Sequence, residues 1–490
     1  MATPIKVLFV GSELNPIAKV GGLADVTGAL PIALKKLGVD VRIVLPKYGI
    51  IDEKKYPLTK VAENVAVPFN GTTEKISVYS TPLPGTDIPV YLLDHPGYMG
   101  GGGVYIEQDG SSNGSVKEAH RFLFLSRASF AIFEPLGWYP DIIHAHDWHV
   151  GMVPVLAKIL GQQNKQLAGI KTILTIHNLE YQGWYPTDVI FGALDLTGDE
   201  YPTLSERRGT HMSTLQQAIL ACDLMTTVSP QYAKEILTPE YGAMLDPFMA
   251  KRKSHLIGIL NGIDVKRFDP ATDKDIAANF SSDDPTNKLQ CKADLQKICG
   301  LSINPKIPIL GVVTRFAEQK GIDLVCALSE ELAKFDIQLV MLGTGLPPIE
   351  EAVKKMVAAH SNIFYAKVAF DAALAQKIYA GSDMFLMPSK FEPCGLAQMI
   401  SMRYGTIPVV RATGGLIDTV QDYNTDTKEG DGFVFNAFEA QALLTAIKRG
   451  LLLYQDTETW YKIVRQIMQH DFSWNNSANK YLSAYQKLLL

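Results

Sequence analysis

The sequence predicts an α/β protein with two doubly wound parallel sheets, and three observations support this. The chain has 490 residues, which is too long for one hydrophobic core and enough for two large domains. Short apolar runs end at glycine or proline and are followed by segments with apolar residues at helical spacing, which is typical of parallel strand-helix-strand crossovers. This rhythm is interrupted by a polar stretch, residues 264–287, and then resumes, so we expect a domain change there.

Composition indicates an ordinary soluble globular protein, with 47% hydrophobic and 20% charged residues. A formal net charge of −5 gives no reason to expect a nucleic acid or an anionic membrane as partner. The five cysteines lack Cys-x-x-Cys spacing and are odd in number, which predicts free thiols in a reducing compartment. No apolar run approaches the ~18 residues of a membrane span, and the first strand begins near Ile5. We therefore expect a cytoplasmic protein, or a processed one such as a plastid stroma form.

The first predicted strand, residues 5–10, is separated from the first predicted helix, residues 23–37, by a loop with a cation. Lys19 lies just before Gly21 and Gly22 in this loop. A helix N-terminus with flexible glycines and a nearby ammonium group suits a phosphate. The spacing is not the Gly-x-Gly-x-x-Gly dinucleotide fingerprint, and an ordinary glycine turn beside a surface lysine is the alternative.

Polar and aromatic side chains follow the predicted strand that starts at Asp141. They are His144, His146, Asp147, Trp148 and His149. A metal site is one interpretation, but the sequence offers no argument for a fourth ligand with a second shell. We favour a wall for a sugar, with the Trp148 face against C–H groups and Asp147 accepting hydroxyl protons.

A second polar pair, His177 and Asn178, follows the β-branched run of residues 171–176. The carboxyl ends of parallel strands share one sheet edge, where open α/β sheets bind ligands. A lone histidine is usually a satisfied core residue, but the following Asn and glycine loop favour a binding role here. Leu224 begins another strand, which ends at Pro230.

The second half of the chain repeats the same pattern. Residues 307–314 predict a strand, followed by Arg315 and by Lys320 ahead of a helix, and two such cations can neutralise a departing pyrophosphate. Asp273 and Asp275 form an Asp-x-Asp pair, which can hold a metal-bound nucleotide, but they lie in a polar run with no apolar strand before them, so we interpret them as solvated linker. Further strands are predicted at residues 338–342, 362–365, 384–387 and 406–410, and a C-terminal helix is predicted from Phe472.

The stretch that begins at Pro388 is the most informative. An apolar run stopped by proline and followed by Glu392 reads as a buried strand that leads into a turn before the next helix. The amides of Gly395 and Leu396 would then face the sheet edge at a helix N-terminus. The alternative is that Glu392 only caps that helix.

These motifs together resemble those of the glycogen and starch synthases of glycosyltransferase family 5, and the resemblance covers the chain from end to end. The matching segments are residues 19–26, 144–149, 175–183, 261–264, 315–321, 392–396 and 413–416. The resemblance implies a GT-B fold, in which two Rossmann-like doubly wound domains face each other across an interdomain cleft. It implies an N-terminal domain of residues 1–258 completed by the C-terminal helix 472–490, and a C-terminal domain of residues 259–471.

The resemblance also implies a reaction: transfer of glucose from ADP-glucose to the non-reducing 4-hydroxyl of an α-1,4-glucan, with retention. The ligands would be ADP-glucose, ADP and a malto-oligosaccharide or glucan acceptor, with no cofactor, no metal, no nucleic acid and no membrane partner. The residues implied as catalytic are Glu392, His177, Arg315 and Lys320. Those implied as donor-binding are Lys19, Gly22, Asp25, Asn178, Arg315, Lys320, Phe370, Cys394, Gly395 and Leu396, with Asp147 and Trp148 on the acceptor side.

The sequence departs from the family pattern at two positions. Ala24 replaces a more frequent glycine, and Gln216 stands where many relatives carry lysine. Gln216 leaves open a non-catalytic or weakly active glucan-binding homologue. A retaining transferase of the large neighbouring family would show a second glutamate eight residues after Glu392, but Ile400 occupies that position.

Overall fold

A computed structural model describes residues 3–106, 112–206 and 209–490. The chain forms two compact units. Unit 1 comprises Met1–Val228, Ala233–Ile259 and Trp474–Leu490, and unit 2 comprises Ser229–Tyr232 and Leu260–Ser473.

The strands of the described residues are β1 Lys6–Val10, β2 Asp40–Pro46, β3 Thr59–Phe69, β4 Thr72–Pro82, β5 Pro89–Asp94, β6 Ile142–His146, β7 Lys171–Ile176, β8 Trp184–Pro186, β9 His211–Ser213, β10 Leu224–Thr227, β11 Leu256–Gly258, β12 Ile309–Val313, β13 Gln338–Gly343, β14 Phe364–Val368, β15 Met384–Met387, β16 Ile407–Arg411 and β17 Phe433–Phe435.

The α-helices of the described residues are α1 Gly22–Lys36, α2 Ser112–Ala131, α3 Phe133–Leu136, α4 Val153–Gln163, α5 Thr187–Leu194, α6 Thr214–Ala221, α7 Pro230–Glu235, α8 Asp246–Lys251, α9 Lys288–Ile298, α10 Ile322–Ala327, α11 Ser329–Leu332, α12 Pro347–Ala359, α13 Ala372–Gly381, α14 Ala397–Arg403, α15 Gly415–Thr419, α16 Ala440–Tyr454, α17 Thr457–Met468 and α18 Trp474–Leu489. None of them is long and apolar enough to cross a membrane.

Unit 1 is built on a nine-stranded sheet in the order β11-β10-β7-β6-β1-β2-β5-β4-β3. The strands from β11 to β5 are parallel, and β4 and β3 add an antiparallel edge. Successive residues of β1 enter different cores: Leu8 and Val10 belong to one buried cluster, and Val7 and Phe9 to another. This two-sided burial explains why the strand is a continuous apolar run.

Unit 2 has a six-stranded, fully parallel sheet in the order β14-β13-β12-β15-β16-β17. The predicted strand at residues 384–387 coincides with β15, whereas the strand predicted at 362–365 lies slightly later, as β14. The prediction of two Rossmann-like parallel sheets is confirmed.

Helix α18 returns the chain to unit 1. Its apolar stripe of Trp474, Ala478, Tyr481 and Tyr485 is buried in the same core cluster as Phe9. The 3- and 4-residue spacing of these side chains predicted such a stripe, because positions that far apart lie on one helix face.

The interpretation of Asp273 as solvated linker is wrong. Its carboxylate is buried and accepts hydrogen bonds from the Tyr404 hydroxyl at 2.6 Å and the Gln376 amide at 2.9 Å. Asp275 is exposed, and its backbone N–H donates to Asp273 Oδ1. The pair therefore anchors the polar stretch to unit 2, a role that local composition does not reveal.

Candidate active site

In both sheets most of the predicted site residues follow the strands at which the strand order reverses. In unit 1 the chain runs outward from β1 to β2 on one side and from β6 to β7 on the other, and in unit 2 the same reversal lies between β12 and β15. Neighbouring strands that lead away from each other leave a crevice outside their carboxyl ends, which is where open α/β sheets bind ligands.

In unit 2 this crevice holds Glu392, which follows β15, and Lys320, which follows β12. The Lys320 ammonium donates to both carboxylate oxygens of Glu392, at 2.9 and 2.7 Å, and the Ser389 hydroxyl donates to Oε2 at 2.9 Å. Glu392 is only 5% exposed. These bonds and the lack of a side-chain cap at the start of α14 exclude the interpretation of Glu392 as a helix cap.

Two glycines hold Glu392 and Lys320 in place through close backbone contacts. Gly321 has φ +65°, and a Cβ there would lie 2.0 Å from the carbonyl oxygen of Pro388. Gly414 has φ +46°, and its Cβ would lie 2.0 Å from the carbonyl oxygen of Glu392. A side chain at either position would be strained and would displace the loop that carries the carboxylate.

A cavity of about 80 Å³ opens beside this pair, with Gly395 and Leu396 among its lining residues. Both were predicted to face the ligand edge, and Leu396 is the residue immediately before α14. Cys394, also predicted to bind the donor, is buried, and burial raises the pKa of its thiol to about 12. At neutral pH the thiol is therefore protonated and unreactive.

The other two predicted residues of unit 2 are exposed. Arg315 follows β12, and its guanidinium makes no hydrogen bond or ion pair with any described residue. The loop that carries Arg315 packs tightly, because Cβ atoms at Gly343 and Gly345 would lie 1.9 and 2.2 Å from the carbonyl oxygens of Thr314 and Phe316. Phe370 lies between β14 and α13 and is 90% exposed.

In unit 1 the loop after β1 is organised by Glu13, which the sequence reasoning missed. Its buried carboxylate accepts hydrogen bonds from the amides of Val20 and Gly21, at 2.8 and 2.6 Å, and from the Tyr105 hydroxyl at 2.6 Å. Glu13 therefore occupies two of the backbone donors of this loop. Gly22, the first residue of α1, is exposed, and a Cβ there would meet no described atom within 4 Å.

Lys19 is paired within its own loop. Its ammonium donates to Asp25 Oδ1 at 2.6 Å, and the same oxygen accepts from the Asn15 amide at 2.9 Å. Both partners of the ion pair are about one-third exposed, which limits its net contribution to stability. Lys19 can therefore exchange Asp25 for a phosphate at little cost.

His177 and Asn178 follow β7, as predicted, and Asp147 holds their backbone. The Asp147 carboxylate accepts the His177 backbone N–H at 2.7 Å and also that of Asn178. Burial raises the pKa of Asp147 to about 7, against the opposing effect of these two amides. Burial also lowers the pKa of His177 to about 3, so its imidazole is neutral. Asp147 is thus placed to support the pair and is not an open sugar acceptor.

The Trp148 indole is not the open platform that the sequence predicted. It stacks on His149 with a centroid distance of 3.9 Å, and a Cβ at Gly183 would lie 2.6 Å from the ring. His144 is a satisfied core histidine, since Nδ1 contacts the Tyr485 hydroxyl at 2.8 Å and Nε2 contacts Thr175 Oγ1 at 2.6 Å. Within the described residues, no group of three or more His, Cys, Asp and Glu side chains is arranged to hold a metal ion.

Gln216 is a buried residue of α6. Its side-chain amide donates to the carbonyl of Glu206 at 3.2 Å, and the neighbouring Gln217 donates to the same oxygen at 2.9 Å. The side chain of Gln216 therefore contacts a loop of its own unit.

Comparison with known proteins is consistent with this geometry. Residues 6–251 match the family model described as the starch synthase catalytic domain, and residues 299–466 match glycosyl transferases group 1. A sucrose-phosphate synthase from Thermosynechococcus elongatus shares the fold, with a TM-score of 0.60 at 18% identity over 99% of both chains. Two Rossmann-like domains with these matches define a glycosyltransferase of the GT-B fold.

Individual relatives indicate a narrower class of enzyme than the fold does. A glycogen synthase of Anaeromyxobacter dehalogenans is 43% identical over 484 residues, and one of Thermotoga maritima is 41% identical over 493 residues, each covering 99% of both chains. The catalytic domain of starch synthase IV from Arabidopsis thaliana, solved with ADP and acarbose, superimposes with a TM-score of 0.89 at 34% identity, over 99% of this chain and all of that one. The chain belongs to the glycogen and starch synthase family.

Proposed function

We propose that the protein transfers glucose from ADP-glucose to the 4-hydroxyl group at the non-reducing end of an α-1,4-glucan, with retention at the anomeric carbon. Family membership supports glucosyl transfer in glycogen or starch synthesis. The Arabidopsis starch synthase IV domain is described as bound to ADP and acarbose, which supports ADP as the nucleotide and a sugar as the acceptor.

The observation that carries the proposal is the buried Glu392–Lys320 ion pair beside a small cavity at the switch point of unit 2. We infer that Glu392 acts on the transferring glucose. Lys320 already neutralises that carboxylate, so the pair has no net charge, and Arg315 is the cation free to receive the diphosphate. Each charge-assisted bond to a phosphate contributes roughly 1.5 to 3 kcal/mol. Preorganised donors of this kind stabilise a leaving group as its negative charge develops.

In unit 1 we assign Lys19, Gly22 and Asp25 to the donor phosphates. The Lys19–Asp25 pair would open as a phosphate takes the place of Asp25, and the uncrowded backbone of Gly22 leaves room for close approach. His177 and Asn178 would contact the sugar, and the Asp147 carboxylate would hold their backbone by accepting its N–H groups.

In unit 2 the backbone of Cys394, Gly395 and Leu396 would complete the donor site, and Phe370 would stack on the adenine. An exposed aromatic ring at the end of a loop can bind a flat base at little cost in ordering. Trp148, which is half-buried, would contribute to the acceptor side.

We further propose that the reaction needs neither a metal nor a cofactor, because Lys19 and Arg315 supply the positive charge that a metal-dependent transferase takes from its ion, while Lys320 compensates the carboxylate of Glu392. The five cysteines are free thiols, and this favours a reducing compartment, for which we propose the cytoplasm. The negative net charge favours a protein that does not bind nucleic acid.

A transfer assay tests the function directly. The purified chain is incubated with ADP-glucose and maltoheptaose, and products are separated by length, with UDP-glucose as the competing donor. We expect elongation from ADP-glucose and α-configured new linkages by NMR. Absence of elongation at any enzyme concentration would refute the proposal, and β-configured products would refute retention.

Matched substitutions test the charge assignment. Arg315→Gln removes a cation that has no described partner, so we expect an intact fold and a weaker interaction with ADP, by roughly tenfold or more. Lys448→Gln, at a lysine of unit 2 distant in sequence from both crevice strands, serves as the control for loss of charge. Equal ADP affinity in the Arg315 variant and the control would contradict the assignment.

A further inference from the structure

The buried ring of His146 contacts the ring of His177. His146 Nδ1 and His177 Nε2 are 3.1 Å apart, and both rings belong to the ends of adjacent strands, β6 and β7. His146 is itself held in a stack of rings, 4.3 Å from the centroid of His144 and 5.1 Å from that of Phe9. Its plane is therefore fixed by packing, and it offers His177 a hydrogen-bonding nitrogen in a defined position.

Only one proton can occupy the bond between these two rings. Burial lowers the pKa of His177 to about 3 and holds that of His146 well below its usual range, so both rings are neutral and each carries one proton. Either His146 donates from Nδ1 to His177, or His177 donates from Nε2 to His146.

The other nitrogen of His146 decides between these arrangements. His146 Nε2 is buried and has no hydrogen-bond partner among the described residues. If His177 donated, the proton of His146 would sit on Nε2 as a buried N–H without an acceptor, which is rarer and more costly than an unpaired acceptor. If His146 donates from Nδ1, Nε2 carries only a lone pair.

We infer that His146 is a positioning residue that holds His177 in the tautomer protonated at Nδ1, so that His177 presents an N–H donor and not a lone pair to the sugar. His177 Nδ1 makes no hydrogen bond with the described part of the chain and is not among its buried, unpaired nitrogens, so it is free for a ligand. The contact with a sugar rests on the proposed function, whereas the position of the proton does not.

Nitrogen NMR of the full chain labelled at its ten histidines tests the tautomer. The His177 signals are assigned by their loss in His177→Gln. We expect a protonated Nδ1 and an unprotonated Nε2 at pH 7.5. A parent spectrum with the His177 proton on Nε2 overturns the inference, whatever any variant does.

Two substitutions of His146 separate positioning from packing. His146→Leu removes the N–H donor and leaves the lone pair of His177 Nε2 without a partner. We expect the Nε2 nitrogen signal of His177 to shift as this hydrogen bond is lost, and kcat to fall about tenfold because the ring is no longer held. His146→Asn places an amide N–H near the lost Nδ1–H, so it should restore the hydrogen bond to Nε2 and recover most of kcat. An unchanged Nε2 signal and kcat in His146→Leu, or no recovery in His146→Asn, would reject the positioning role.

His149→Phe is the matched control, because His149 is also buried and has an unpartnered ring nitrogen, but makes no hydrogen bond to His177 among the described residues. The Nε2 signal of His177 should be unchanged in this variant, and a change would show that the readout responds to any loss of a buried imidazole. Failure of the parent to use ADP-glucose would reject the proposed function alone, since the spectrum needs no donor sugar.

Discussion

Mild acid should destabilise unit 1, because four histidines are held there in the neutral form. His144, His146 and His149 are 0%, 0% and 6% exposed, and His177 is partly buried. Burial lowers the pKa of His144, His149 and His177 to about 3, and that of His146 well below its usual value. In the unfolded chain each has an ordinary pKa of about 6.5. Below that pH the unfolded state therefore binds four protons that the folded state does not.

The sign and size follow from linkage. Since the folded pKa values are depressed, the stabilisation is fully present above pH 6.5 and is lost as the pH falls, at about 1.4 kcal/mol per pH unit for each histidine. At pH 5 the four histidines together cost roughly 8 kcal/mol. Asp147 acts in the opposite direction: its raised pKa of about 7 lets the folded state gain a proton, which returns roughly 2.7 kcal/mol by pH 5. A net loss of roughly 5 kcal/mol remains, a large part of a typical stability of ~5 to 15 kcal/mol.

Urea unfolding at pH 5, 6, 7 and 8, followed by tryptophan fluorescence, measures this loss. The signal reports mainly on unit 1, which holds four of the five tryptophans: Trp138, Trp148, Trp184 and Trp474. His149→Phe should reduce the dependence on pH by about 1.4 kcal/mol per pH unit. His255→Gln, at an exposed histidine, should leave it unchanged. Equal stability of the parent at pH 5 and pH 7, or an unaltered slope in His149→Phe, would refute the reasoning.

Three further outcomes are expected. Glu392→Gln should lower kcat by orders of magnitude and should also lower the melting temperature, because it leaves the buried Lys320 ammonium without its carboxylate, as turnover and calorimetry of the same preparation would check; a kcat equal to that of the parent would contradict a role at the sugar. Activity should persist in excess EDTA, and loss that is reversed by Mg²⁺ or Mn²⁺ would show that a metal supplies part of the charge. Gly414→Ala should destabilise unit 2 and lower kcat, because the new Cβ would collide with the backbone of Glu392. Gly300→Ala is the control: Gly300 also has a positive φ (+66°), but no described atom lies within 4 Å of its Cβ, so only about 1 to 3 kcal/mol of folding free energy should be lost. Equal effects of the two variants would show that backbone strain, and not the contact with Glu392, is responsible.

The parallel core could be predicted from the sequence, because strands buried on both faces leave an uninterrupted apolar run. The run at residues 384–387 coincides with β15 for this reason. The antiparallel edge shows no such run, because the burial of β3 alternates along the strand, although Asn70 and Gly71 join β3 to β4 with positive φ at both positions. Asn-Gly between two strands is a strong hairpin signal, and it could have located this turn.

Site residues that act from strand ends were also predictable, since the topology of parallel sheets brings such ends together. The partners that hold them were not. Glu13 contacts Tyr105 across 92 positions, and Lys320 contacts Glu392 across 72. Such pairs depend on how loops pack, and no local pattern encodes them. The same limit explains Trp148, whose open face was predicted from its neighbours in sequence but is covered by Gly183.

Because α18 belongs to unit 1, unit 1 cannot complete its fold until the end of the chain has been synthesised. Residues 474–490 are synthesised after the whole of unit 2. All residues of unit 2 are therefore available first, while unit 1 still lacks the α18 side chains that complete its core. Until Tyr485 arrives, His144 lacks the hydroxyl group that it contacts in the finished structure. A nascent chain halted at residue 473 would carry every residue assigned here to donor binding and catalysis, and would still expose an apolar surface to chaperones.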